Sequence, residues 1–121
     1  MKNCLIVDDS RVIRMVASKI VGDLDFAPSE AEDGQAALAS CRKAMPDAIL
    51  LDWSMPVMSG VEFLRALRKE RGGDKPLVFF CTGENDMSHI NEALSAGANT
   101  CVLKPFDRET IGTSFRLAGL I

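Results

Sequence analysis

Four short apolar runs recur along the chain: CLIV at 4–7, AILL at 48–51, LVFFC at 77–81 and CVL at 101–103. Runs of that length fit buried strands, and the stretches between them repeat their apolar residues with helical spacing. Alternation of this kind restricts the fold to an α/β layer structure, a parallel sheet with helices on both faces and right-handed crossovers. A fifth strand is expected within FAPSEAED, where Pro28 suits a sheet edge and would disrupt a central strand. Five β-α units follow, with no linker, repeat or low-complexity segment.

The helical stretches carry their own punctuation. DSRVIRMVASKIVGD starts on capping residues, places Val12, Ile13, Val16, Ile20 and Val21 on one face, and is expected to stop at Gly22. GQAALASCRKAMP and SGVEFLRALRKERGG are the second and third helices, the latter ending on basic residues and a Gly-Gly pair. The basic run Arg65, Arg68, Lys69 and Arg71 is explained by the helix dipole without a ligand. ENDMSHINEALSAGA and DRETIGTSFRLAGLI are the fourth and fifth, the last expected to reach Ile121.

Composition excludes several classes of function. With 121 residues, the chain is expected to form one domain. Its apolar runs fall well short of the roughly 20 residues of a membrane span, and the N-terminus lacks signal-peptide character. A net charge of −3 supplies no basic stripe for nucleic acid. Cys4, Cys41, Cys81 and Cys101 show no metal-ligand spacing, so they read as buried reduced thiols in a cytoplasmic protein. The six methionines read as core filler, and His89 as a solvated or partner-facing side chain.

In open α/β sheets, ligands bind outside the carboxyl ends of the strands. The first strand ends in Asp8-Asp9, the third in Asp52, the fourth in Thr82-Gly83 and the fifth in Lys104-Pro105. Each alone has a structural explanation as a cap or turn residue. One such residue at the end of each of four strands is more than capping requires. Crowded carboxylates need a cation, and an all-oxygen site suits Mg²⁺. A carboxylate beside Mg²⁺ can act as a nucleophile, and Asp52 on the central strand is the best placed. Lys104 could neutralise phosphoryl oxygens and Thr82 could donate to one.

LIVDDSR, LLDWSMPVMSG, FFCTGEND and CVLKPF, in this order and across essentially the whole chain, resemble the receiver domain of two-component response regulators. The likeness is to the stand-alone chemotaxis regulators of the CheY type, especially the α-proteobacterial kind. It implies a flavodoxin-like doubly wound (βα)5 fold with strand order 2-1-3-4-5, in which a single receiver domain fills residues 1–121 without an effector domain. It further implies Asp52 as phospho-acceptor, Asp9 as a direct Mg²⁺ ligand, Asp8 as a direct or water-bridged one, and the Ser54 carbonyl as another. Thr82 would follow the phosphoryl group, Lys104 would pair with it, and the bond before Pro105 would be cis. Ser54 and Glu84 hold the positions that influence phosphate lifetime. Cys101 departs from the family, which carries a switching Tyr or Phe there. Phe115 is one side chain that could fill the space left. The expected partners are a histidine kinase and either a flagellar or signalling target or a histidine phosphotransferase, the chain being a monomer when unphosphorylated and not an enzyme.

Chemotaxis output and a role as phosphorelay intermediate or phosphate sink share this chemistry. A flavodoxin-like FMN carrier would want a Ser/Thr/Gly-rich phosphate loop where this chain has two acids. A Mg²⁺-dependent phosphohydrolase would carry its nucleophile after the first strand.

Overall fold

The computed structural model describes residues 1–53, 55–83 and 87–121, the side chain of Met87 excepted. Five strands, β1 (Asn3–Val7), β2 (Ala27–Ala31), β3 (Ala48–Asp52), β4 (Leu77–Thr82) and β5 (Thr100–Leu103), alternate with five helices. These are α1 (Arg11–Asp23), α2 (Gly34–Lys43), α3 (Gly60–Lys69), α4 (Met87–Ala96) and α5 (Arg108–Leu117). All strand pairs are parallel, and the order is β2-β1-β3-β4-β5. This is the flavodoxin-like arrangement expected, with Pro28 on edge strand β2.

Every residue of β3 is buried, which is why its sequence is apolar on both faces until Asp52. Two cores result. Leu5, Val7, Ile49, Leu51, Val78 and Phe80 pack toward α2, α3 and Ala93 of α4. Cys4, Ile6, Leu50, Phe79, Cys81 and Val102 pack on the other face toward α1 and α5. The period-two alternation along each strand assigns neighbours to opposite cores.

Local signals place the helix ends. Ser10, Asp33, Ser59 and Asp107 are N-caps, and Ser59 with Glu62 forms a reciprocal capping box. The region expected to start the fourth helix, Glu84 to Asp86, lies outside the described residues.

Several expectations are corrected. Val12 and Val16 do not enter the core: they are 62% and 45% exposed, and Ala17, Ile20 and Val21 are the buried residues of α1. The sheet-facing line passes through positions 13, 17, 20, 21 and 24, so 12 and 16 fall on its flank. Helix α1 runs through Gly22 to Asp23. Helix α5 stops at Leu117, where Gly119 takes φ +82° and Leu120 folds back into the core, its N–H bonded to the Phe115 carbonyl at 2.9 Å. Met45, Met55 and Met58 do pack against the core, whereas Met1 and Met15 are exposed.

Arg68 does more than complement a dipole. It donates to the carbonyls of Gly73, Pro76 and Gly97 and to Asn99 Oδ1, at 2.7–3.1 Å. Asn99 Oδ1 also accepts from Val78 N–H at 2.7 Å. One guanidinium thereby satisfies carbonyls of two loops that flank β4.

Candidate functional site

The reversal of strand order lies between β1 and β3, and the residues singled out from the sequence gather at the carboxyl ends beside it. Asp8 follows β1 and is 4% exposed. Asp52 ends β3 at 8%, and Thr82 ends β4 at 3%. Carboxylate oxygens of Asp8, Asp9 and Asp52 all lie within 4.8 Å of one another, with Asp9 on the solvent side. Lys104, just past β5, places Nζ 2.8 Å from Asp8 Oδ2 and 2.8 Å from Asp52 Oδ1. Its backbone N–H donates to the Thr82 carbonyl at 2.8 Å, and its peptide bond to Pro105 is cis.

Neighbouring loops hold these groups in place. The Ser10 N–H donates to Asp8 Oδ1 at 2.9 Å, fixing the carboxylate against the start of α1. Arg14, one turn into α1, donates to the Asp8 carbonyl at 2.7 Å and pairs with Glu30 of β2 at 3.0 Å. Gly60 opens α3 against Asp52: a Cβ there would collide with the Asp52 carbonyl, so only glycine permits the approach. Neither Arg14 nor Gly60 was singled out from the sequence. An arginine in the first turn of the helix after an acid pair, and a glycine opening the helix that follows the third-strand acid, are the signals that could have found them.

Burial is the main influence on Asp52, raising its pKa. Lys104 pulls it down by hydrogen bond and charge, while Asp8 and Asp9 push it up, and the net result is upward. Burial alone would lower Lys104, but hydrogen bonds and charges from Asp52 and Asp8 outweigh it and hold the ammonium above its usual pKa. Three carboxylates against one ammonium leave the charge that a divalent cation would cancel. The donor set, hard oxygens only with one acid open to solvent, fits Mg²⁺.

Two further sequence readings change. His89 is not simply solvated: its ring stacks on Trp53 with centroids 4.3 Å apart and planes at 28°. Cys101 packs, partly buried, against the core under α2, α3 and α4. Phe115 lies in the opposite core, against Phe26 and Phe79, so it does not fill the space at 101. Ser54 and Glu84 lie outside the described residues.

An acidic pocket with a paired lysine thus lies at the switch point of a five-stranded parallel sheet. The chain belongs to the response regulator receiver domain family, whose model matches residues 4–116. It is 36% identical to the chemotaxis protein CheY of Pseudomonas aeruginosa over 108 residues, 88% of this chain and 87% of that protein. The chemotaxis protein CheY-3 of Vibrio cholerae is 35% identical over 108 residues, 88% of this chain and 83% of its own. A solved structure of chemotaxis protein CheY4 of Vibrio cholerae superposes with a TM-score of 0.92 at 34% identity, covering 97% of this chain and 98% of that one. The protein is thus a CheY-like response regulator of two-component signalling. Among the described residues, no helix is long and apolar enough to cross a membrane.

Proposed function

We propose that this chain takes a phosphoryl group from a histidine kinase onto Asp52 and signals by altered protein contacts, with chemotaxis or motility as its pathway. The observation that carries this reading is the buried Asp52 carboxylate, held by Lys104 at 2.8 Å within a cluster of two further acids. Such a site neutralises incoming phosphoryl charge. The relatives named for chemotaxis favour that pathway over a relay or sink.

In the transfer, an Asp52 carboxylate oxygen forms a bond to phosphorus as the phosphorus–nitrogen bond of phosphohistidine breaks. The imidazole leaves with the electron pair. Asp8, Asp9 and Asp52, with the Ser54 carbonyl, would hold Mg²⁺, which when bound neutralises phosphoryl oxygens. Lys104, freed from part of its pairing with Asp52, follows the new charge, and the Thr82 hydroxyl donates to a phosphoryl oxygen. The protein is a substrate of its kinase rather than an enzyme acting on others, and it works in the cytoplasm as a monomer until phosphorylated.

Acetyl phosphate with Mg²⁺ is expected to add one phosphoryl group, seen by intact mass, with a change in Trp53 fluorescence. Asp52→Asn is expected to abolish the addition, and an unchanged mass gain in that variant would reject the assignment. Partner capture with and without beryllofluoride separates the pathways. A flagellar or chemotaxis target supports the reading, whereas a phosphotransferase as the sole partner favours relay or sink.

A further inference from the structure

A charge change at Asp52 is useful only if a surface elsewhere responds, and Cys101 provides no aromatic ring to swing between two positions. Trp53 and His89 form a different route. Trp53 follows Asp52 directly in the chain. Its N–H donates to the Cys81 carbonyl at 3.2 Å and its carbonyl accepts from Gly60 N–H at 3.2 Å, so its backbone spans from β4 to α3. The indole stands edge-on to Phe80, with centroids 5.0 Å apart at 85°, and stacks on His89 in the first turn of α4.

The C-terminal end of helix α4 is tied to α3 by Arg68. Past its C-terminal end, Arg68 donates twice to the Gly97 carbonyl, at 3.1 and 2.7 Å, and once to Asn99. Along the helix, Ala93 is the one fully buried side chain among the described residues, and Leu94 is 44% exposed. His89 sits in the first turn of α4, at the opposite end of the helix from the Arg68 contacts and stacked on Trp53 beside the site.

We propose that the Trp53–His89 stack links Asp52 to α4, making His89 a positioning residue through which phosphorylation displaces the helix's first turn. This deepens the proposed function and rests on Asp52 being the acceptor. When the Asp52 segment adjusts to a phosphoryl group, the indole moves with its backbone, and the ring stacked on it follows. The coupling is reciprocal: a protein that binds the displaced helix must favour the phosphorylated form by the same factor.

The chain has one histidine and one tryptophan, so each ring gives a single set of NMR signals. On adding beryllofluoride with Mg²⁺, the His89 ring signals and the amides of Ala93 and Leu94 are expected to shift. In His89→Ala, phosphorylation by acetyl phosphate should stay within about twofold of the original. The Asp52 and Thr82 amides should still shift, while the Ala93 and Leu94 displacements fall by at least half. His89→Phe, which keeps a stacking ring, should restore them. Full Ala93 and Leu94 responses in His89→Ala would overturn the proposal and leave Asp52 as acceptor untouched. If the original protein gains no phosphoryl group, or carries it on a residue other than Asp52, the proposed function fails and this inference fails with it.

Discussion

Replacing Asp52 by Asn removes one charge from a cluster that repels itself, so the variant should be more stable than the original when no Mg²⁺ is present. Carboxylate oxygens of Asp8 and Asp9 lie within 4.8 Å of Asp52. At an effective dielectric of about 20, each like-charged pair at that distance costs roughly 3.5 kcal/mol. Against this, the Lys104 ammonium at 2.8 Å returns about 6 kcal/mol on the same scale. Repulsion exceeds attraction by about 1 kcal/mol, and the burial of an ionised carboxylate adds to the imbalance. The upward shift of Asp52, caused mainly by burial, has the same sign. Asn keeps a carbonyl that can accept from Lys104, so that hydrogen bond survives.

A gain of about 1–3 kcal/mol is expected, or roughly 4 °C in Tm per kcal/mol for a domain of this size. Because the folded state raises the Asp52 pKa, its contribution to stability is fully present below the unfolded value of 3.8 and lost as pH rises through the folded one. The advantage of Asp52→Asn should therefore be largest at neutral pH and vanish in acid. Millimolar Mg²⁺ should offset most or all of this advantage, since mass action stabilises the original by about 2.7 kcal/mol at a hundredfold excess over Kd. Urea and thermal unfolding from pH 3 to 8, with Mg²⁺ or with chelator, measure all of this. A variant less stable than the original at neutral pH without Mg²⁺ would refute the reasoning, because the Lys104 pair would then outweigh the repulsion.

Three other outcomes are expected. Arg68→Ala should lower stability by about 2–4 kcal/mol, read from the urea midpoint, because three backbone carbonyls lose a donor at once; Arg68→Lys should recover less than half of it. Gly60→Ala should both destabilise the fold and slow acetyl phosphate uptake, since its Cβ meets the Asp52 carbonyl, and intact-mass time courses measure the second effect. Under native conditions at about pH 8, a thiol reagent should modify Cys101 first. Burial pushes Cys4 and Cys81 up to about 12 and Cys41 up to about 11, and these three are the fully buried thiols.

Much of the site was legible because its residues sit at strand ends, and strand ends are marked where an apolar run stops. Asp8-Asp9, Asp52, Thr82 and Lys104 each terminate such a run, and a parallel sheet brings all of its carboxyl ends to one edge. Their convergence thus follows from local pattern plus one topological rule. The five helices were legible for the same reason, a period of 3.6 bounded by caps and glycines.

Periodicity names a face but not what covers it. Val12 and Val16 share an apolar stripe with Ile20, yet only the part of α1 that lies over the sheet is buried. His89 and Trp53 are 36 positions apart and come together only in the packed fold, a contact that no local pattern encodes. Arg68 looked like an ordinary helix-terminal charge until loops from both sides brought it their carbonyls. Phe115 fell to the opposite core because the orientation of α5, not its composition, decides which sheet face its aromatic ring meets. The order of elements and the chemistry at the strand ends were therefore written locally in the sequence. Which flank of a helix is buried, which rings stack and which charges are satisfied depend on distances between segments remote in the chain, and only the packed tertiary structure decides those.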